Sequence, residues 1–232
     1  MILAIIQCRL ESVRLPQKAL MNMAGKPMIR HVIDRVREIR SVDALVVAIP
    51  QAGNGPLAAK LNDWGVSCFP WSGPCDDVLG RFVAAAESIR WINPNTRELD
   101  PVEYVVRVCG DSPLIDSQST DELVVAAVLS KADYTGYRFK DGAPAISRPT
   151  GYFTEVVKMS ALKRANDELP RNAKEREHVT ACMYAEDQSR FRPPFSVRWL
   201  DVPTWYAKEK LKNAAVDTRE DFERVKAVVE KE

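Results

Sequence analysis

The chain has 232 residues, of which 46% are hydrophobic and 28% are charged. These proportions are typical of a globular protein and exclude a collagen-like, coiled-coil or disordered chain. Its 33 Lys and Arg residues against 32 Asp and Glu residues leave a formal net charge of +1 at pH 7. This balance argues against nucleic acid as a partner, because nucleic-acid binders usually carry a clear basic excess.

Membrane insertion and secretion are also disfavoured. No apolar run approaches the roughly 20 residues that span a bilayer, and the apolar N-terminus lacks the basic region and the cleavage site of a signal peptide. The five cysteines are scattered without a C-x-x-C pair, and two histidines are too few for a local zinc motif. We therefore expect a cytoplasmic protein with free, mostly buried thiols and no membrane contact.

Strand and helix patterns alternate over the first 130 residues. Continuous apolar runs predict strands at 3–8, 44–49, 66–70 and 104–109. Apolar stripes predict helices at 27–40 and 76–90, and turn and cap signals predict shorter helices at 56–63 and 122–129. Ser119 is the expected N-cap of the last of these helices. The alternation predicts βαβ units, and the continuous apolarity of the strands predicts a mostly parallel sheet covered on both faces.

After residue 130 the pattern changes. Gly, Pro and polar residues are frequent at 134–149, and further on we predict a strand at 151–159, a helix at 174–186 and a strand at 195–200. A final helix begins after Thr218, which resembles a capping box with Asp221. The sequence predicts a single α/β domain over 1–232, with an insertion at about 135–175 that is too small to fold alone.

The loop after the first strand carries three cations within ten residues, at Arg9, Arg14 and Lys18. Ligands of open α/β sheets bind beyond the carboxyl ends of the strands, which is where this loop would lie. The chain has no glycine-rich phosphate motif. Any phosphate would therefore be held by guanidinium and ammonium groups. An ordinary solvated loop is an equally good interpretation of these charges alone.

Two carboxylates are candidates for the same edge of the sheet. Asp111, preceded by Gly110, follows the strand at 104–109, and Asp217 precedes the last helix. Mg²⁺ usually takes one or two carboxylates together with substrate phosphates, so Asp111 could be a metal ligand. The structural alternatives are a turn before Ser-Pro for Asp111 and helix capping for Asp217.

Five collinear stretches resemble one known family. They are IIQCRLESVRLPQKALMNMAGKPMIRHVIDRV at 5–36, DDVLGRFVAAA at 76–86, RVCGDSPLID at 107–116, REHVT at 176–180 and VDTREDFERV at 216–225. Together they are similar to the cytidylyltransferases known as CMP-sugar synthetases. The match is close to the CMP-Kdo synthetases and closer still to the spore-coat-polysaccharide type. Their order and spacing make the set far more specific than any single stretch.

The resemblance implies a fold and a reaction. The fold would be that of the nucleotide-diphospho-sugar transferases, a Rossmann-like αβα sandwich. The reaction would transfer CMP from CTP to an acidic sugar or related acceptor, with Mg²⁺ and with release of pyrophosphate, in surface polysaccharide biosynthesis. The family also implies a homodimer, with the insertion at 135–175 serving acceptor binding or dimerisation.

Carried over residue by residue, the resemblance assigns the site. Its catalytic residues would be Arg9, Lys18 and Asp111, and its metal ligands Asp111 and Asp217. Its nucleotide ligands would be Arg9, Ser12, Arg14, Lys18, Ser72, Gly73, Arg81 and Gly110. Its acceptor ligands would be Glu155, Arg176 and His178, with a structural helix position as the alternative for His178.

Three residues depart from the family pattern and leave the acceptor and the base preference open. Cys8 replaces a small Ala, Cys109 replaces the Gln of the CMP-Kdo motif Q-G-D-E-P, and Ser112 replaces its Glu. The alternatives are a phosphonate cytidylyltransferase, a nucleotide-sugar-dependent glycosyltransferase and an inactive nucleotide-binding protein. A glycosyltransferase would usually show D-x-D, whereas here a single carboxylate precedes Ser-Pro.

Overall fold

The structure, a computed structural model, describes residues 1–231. The strands are β1 Ile2–Gln7, β2 Asn22–Met23, β3 Lys26–Pro27, β4 Ala44–Pro50, β5 Cys68–Trp71, β6 Tyr104–Cys109, β7 Tyr134–Arg138, β8 Glu155–Lys158 and β9 Val197–Asp201. The helices are α1 Met28–Arg37, α2 Gly55–Asp63, α3 Val78–Ser88, α4 Ser117–Ser130, α5 Met159–Glu168, α6 Thr204–Lys208 and α7 Arg219–Val229. Across residues 1–231, no helix combines the length and the apolarity needed to cross a membrane.

Seven strands form one sheet in the order β5-β4-β1-β6-β8-β7-β9. β1 runs parallel to β4 and β6, and β4 runs parallel to β5, whereas β8 is antiparallel to both of its neighbours. The predicted α/β class with a mostly parallel sheet is confirmed. Because the four parallel strands point the same way, the loops that follow them gather at one edge of the sheet.

Alternate side chains of β1 enter two different cores. Ala4 and Ile6 pack into a core with α1, α2, α4 and α7. Leu3 and Ile5 pack into a second core with α3 and α5. Both faces of the sheet are therefore covered, which explains why its strands show continuous apolar runs rather than alternation.

The predicted helix at 174–186 is wrong. The chain instead forms two short 3₁₀ turns, Lys174–His178 and Ala181–Met183. Val179 between them has φ 57 and is fully buried. A positive φ ends any right-handed helix, and burial in the second core holds this β-branched residue in that conformation.

Other boundaries and elements also differ from expectation. The N-cap of α4 is Asp116 rather than Ser119, because a carboxylate oxygen of Asp116 accepts the Ser119 backbone N–H at 2.7 Å. The strand predicted at 151–159 is the shorter β8, and both β7 and α5 were missed. The segment 135–175 thus supplies β8 and most of β7 to the central sheet.

Candidate active site

A cavity of about 580 Å³ opens at the carboxyl ends of β1 and β6. Its walls come from the loop after β1, the start of α3, the turn at 177–178 and the segment before α7. Most of the predicted site residues line this cavity: Arg9, Ser12, Arg14, Lys18, Arg81, Gly110, Asp111, His178 and Asp217. The fold thus brings together residues up to about 200 positions apart in sequence.

Lys18 holds the two predicted metal ligands together. Its Nζ donates hydrogen bonds to Asp111 Oδ2 and to Asp217 Oδ1, each at 3.1 Å. Burial opposes a charge on Lys18, but the two carboxylates outweigh burial and raise the pKa of Lys18 above its ordinary value. The ammonium group therefore stays protonated, and the carboxylates share one cation.

Backbone contacts explain how these side chains meet. Gly110 lets the chain pass close to β1, since a Cβ there would lie 2.7 Å from the Gln7 carbonyl oxygen. The Val216 N–H donates to the Asp111 carbonyl at 2.9 Å, which fixes Asp217 beside Asp111. The capping box of Thr218 and Asp221, confirmed in the structure, then starts α7 directly after this contact.

The paired carboxylates fit a divalent cation. Asp111 and Asp217 already reach one cationic atom, the Lys18 Nζ, at equal distances. Within residues 1–231 there is no cluster of three or more His, Cys, Asp or Glu side chains that could enclose a metal. Mg²⁺ is commonly bound by one or two carboxylates, with phosphate oxygens and water as its remaining ligands. Asp111 and Asp217 could therefore hold Mg²⁺ together with a bound triphosphate.

Arg81 indicates that the cavity is built for an anion. Its side chain is only 2% exposed, and its Nε and Nη1 have no hydrogen-bond partner in the part of the chain that the structure describes. Burial lowers the pKa of Arg81. Two unpartnered donors on a buried guanidinium are costly, and an anionic ligand in the cavity would remove that cost.

Ser72 and Gly73 line a neighbouring cavity of about 600 Å³ rather than the first one. This second cavity lies at the ends of β4 and β5, where Trp71 supplies an aromatic wall. Cys75 lines it as well, and its Sγ lies 3.7 Å from Arg9 Nη1. Since Arg9 lines the first cavity, the two cavities adjoin at this contact.

The structure corrects two predicted acceptor ligands. Arg176 is 1% exposed and donates from Nε and Nη2 to both carboxylate oxygens of Asp77, at 2.8 and 3.2 Å. Asp77 is the N-cap of α3, so Arg176 fixes the start of that helix instead of facing the cavity. Glu155 is also 1% exposed and does not line the cavity.

Sequence reasoning missed Arg107 as a cavity residue. Arg107 lies in β6, is 8% exposed and forms an ion pair with Glu155. The sequence signal that could have identified Arg107 is that it is the one charged residue in the strand YVVRVC. A cation at such a position requires a partner or a ligand, because burying it alone is costly.

Comparison with known proteins identifies the family. A family model described as cytidylyltransferase matches residues 3–232. The spore coat polysaccharide biosynthesis protein SpsF of Bacillus subtilis is 27% identical over 235 residues, covering 99% of this chain and 87% of that protein. A cytidylyltransferase from Leptospira borgpetersenii superposes with a TM-score of 0.75 at 21% identity, over 100% of this chain and 87% of that one. The structure of CMP:2-keto-3-deoxy-manno-octonic acid synthetase complexed with CTP gives a TM-score of 0.70 at 16% identity, over 99% and 98%. Since the family model spans nearly the whole sequence, the chain belongs to the cytidylyltransferase family and has its nucleotide-diphospho-sugar transferase fold.

Proposed function

We propose that the protein is a cytoplasmic, Mg²⁺-dependent enzyme that transfers CMP from CTP to a small acidic sugar or related acceptor and releases pyrophosphate. The observation that carries this proposal is the contact of Lys18 with Asp111 and Asp217 at the wall of a basic cavity. The likeness to a spore coat polysaccharide protein supports a role in surface polysaccharide synthesis.

The charge of the cavity suits a triphosphate. Five cationic side chains line the cavity: Arg9, Arg14, Lys18, Arg81 and Arg107. Three carboxylates line it as well: Asp111, Glu177 and Asp217. The cations exceed the carboxylates before any metal binds. A polyanion would therefore be attracted, and bound Mg²⁺ would raise the positive charge further.

The reaction needs positioning and charge neutralisation more than covalent catalysis. An acceptor oxygen attacks the α-phosphorus of CTP, its bond to phosphorus forms, and the bond from the α-phosphorus to the bridging oxygen of pyrophosphate breaks. Arg9 and Arg14 bind the triphosphate, and Lys18 stabilises the negative charge that grows on the leaving pyrophosphate. When bound by Asp111 and Asp217, Mg²⁺ would supply Lewis-acid polarisation of the phosphate.

The segment 135–175 supplies part of the acceptor side in this proposal. Ile146 from this segment lines the cavity together with residues of the loop after β1. We assign the same segment to contact between two copies of the chain. Light scattering coupled to gel filtration tests the dimer, and a monomer at micromolar concentration would contradict it.

The experiment is CTP-dependent release of pyrophosphate with a panel of sugar acids and phosphonates, with products identified by mass spectrometry. Asp111→Asn and Lys18→Ala should each lose about 10²–10³ in turnover, as when one charge-stabilising group is removed from a site. Lys26→Ala is the matched control, because Lys26 pairs with Asp34 away from the cavity. Wild-type turnover in both site variants would refute the proposal, and turnover of a sugar nucleotide in place of CTP would identify a glycosyltransferase.

A further inference from the structure

We propose that Arg107 recognises the acid group of the acceptor, whether a carboxylate or a phosphonate, at the inner end of the cavity. This inference rests on the proposed function and adds the residue that selects an acidic acceptor over a neutral one. Arg107 belongs to none of the groups of site residues that the family resemblance assigned.

The hydrogen bonds of Arg107 leave one edge of its guanidinium free. Nη1 donates to Glu155 Oε2, and Nε donates to Gln7 Oε1 at 3.1 Å. Within residues 1–231 the hydrogen bonds of Arg107 come from Nε and Nη1 and none comes from Nη2, and Arg107 lines the cavity. A charged donor that is more than nine-tenths buried and faces a cavity is available to an anionic ligand.

Glu155 holds the guanidinium in a fixed position. Its Oε1 accepts the Tyr134 hydroxyl at 2.7 Å and the Thr180 hydroxyl at 2.8 Å, so both of its oxygens are engaged. Two apolar side chains could fill this space without the desolvation cost of a buried ion pair. We infer that the ion pair is present because it holds the free edge of the Arg107 guanidinium toward the cavity. Glu155, Tyr134 and Thr180 are therefore positioning residues.

The sheet order places Arg107 on the acceptor side. The second cavity, which would take the nucleoside, lies at β4 and β5, on one side of β1. Arg107 lies in β6 on the other side of β1, and its ion pair reaches β8. His178 and Ile146 complete the cavity wall with it. An acceptor that approaches the α-phosphorus opposite the nucleoside therefore meets Arg107.

The test compares acidic and neutral acceptors. The probes are 3-deoxy-manno-octulosonate, N-acetylneuraminate, their methyl esters and 2-aminoethylphosphonate. The variants are Arg107→Lys and the pair Arg107→Met/Glu155→Gln, which removes both charges and so leaves no unpaired carboxylate. We expect the paired variant to raise the KM for the accepted acid about 10- to 100-fold, the usual value of a hydrogen bond to a charged group. The KM for CTP should stay within about twofold, and the preference for the acid over its ester should disappear.

Arg30→Met is the matched control, because Arg30 forms an ion pair with Asp34 on α1, outside the cavity. It should retain the wild-type preference for the acid. If the paired variant transfers CMP and still prefers the acid over its ester, this inference is overturned while the proposed function stands. If wild type binds CTP but transfers CMP to none of the acids, both the inference and the proposed function fail.

Discussion

Replacing Lys18 by methionine removes the one cation that Asp111 and Asp217 share. Two charge-assisted hydrogen bonds to the carboxylates at 3.1 Å are lost, each worth about 1.5–3 kcal/mol when fully formed, together with one to the Val216 carbonyl oxygen at 2.6 Å. The two carboxylates are 32% and 33% exposed and regain hydration, and the 12% exposed Lys18 no longer has to be desolvated. We therefore expect Lys18→Met to lower the free energy of unfolding by about 2 kcal/mol in EDTA, well below the two bonds' sum.

Mg²⁺ should reverse this loss, because a divalent cation can replace the ammonium between the carboxylates. Urea unfolding followed by circular dichroism, in EDTA and in saturating Mg²⁺, measures the effect. The variant should gain more stability from Mg²⁺ than wild type, in which Lys18 already occupies the space between Asp111 and Asp217. Lys26→Met, which breaks the ion pair of Lys26 with Asp34, should show no added response to Mg²⁺.

The pH dependence gives a second check on the same reasoning. The folded-state pKa of Lys18 lies above its ordinary value of 10.5, so its stabilising contribution is complete below pH 10.5 and is lost only as the pH rises through the higher folded-state pKa. The stability difference between wild type and Lys18→Met should therefore be constant from pH 7 to pH 9. Equal stability of the two proteins in EDTA, or an equal gain from Mg²⁺, would refute this account.

Three further predictions concern stability and reactivity. Burial raises the pKa of Asp221, but hydrogen bonds from Thr218 outweigh burial and lower this pKa to about 2. Asp221→Asn should therefore lower the free energy of unfolding by about 1 kcal/mol, measured by urea unfolding at pH 7. That difference should narrow as the pH falls below about 4, because the folded pKa lies below the unfolded one. Burial raises the pKa of Cys8 to about 12, whereas Cys75 is exposed. Iodoacetamide at pH 8 should therefore label Cys75 and leave Cys8 unmodified, as read by peptide mass spectrometry. Equal labelling of the two cysteines would contradict this prediction. Gly151 has φ 72, and a Cβ there would lie 2.3 Å from a backbone carbon, so Gly151→Ala should lower the melting temperature by more than about 2 °C in calorimetry.

The parallel half of the fold could be predicted from the sequence because its signals are local. β1, β4 and β6 are mainly apolar runs, and β1 is followed by α1, whose buried residues recur at helical spacing. Buried strands of this kind need no partner-specific pattern, since helices cover both faces of the sheet. The strand β6 was predicted with its observed boundaries.

The second half resisted prediction because tertiary contacts decide its structure. β7, with the sequence YTGYR, has neither an apolar run nor a clear alternation, and its pairing with β8 and β9 orders it. The stretch 174–186 has a helical composition, but the buried Val179 at positive φ divides it. Such a position depends on the second core and leaves no local trace in the sequence.

The grouping of the candidate residues around one cavity could be predicted where those residues carry a spaced motif. Lys18, Asp111 and Asp217 met as expected, because the family resemblance connects loops that are distant in sequence. Arg176 was misassigned because a charged side chain in a short motif does not reveal whether it faces a cavity or a helix N-cap. Arg107 was missed because it belongs to no loop.

The hydrogen bond from Val216 to the Asp111 carbonyl joins the middle of the chain to the segment before α7. During synthesis, the strands β1 and β6 can pair while Asp217 is still inside the ribosome. The carboxylate pair therefore forms only once that late segment has emerged and α7 has docked. A nascent chain that stalls before this point has Asp111 but lacks the second carboxylate, so the contact of Lys18 with both carboxylates is among the last parts of the cavity to form.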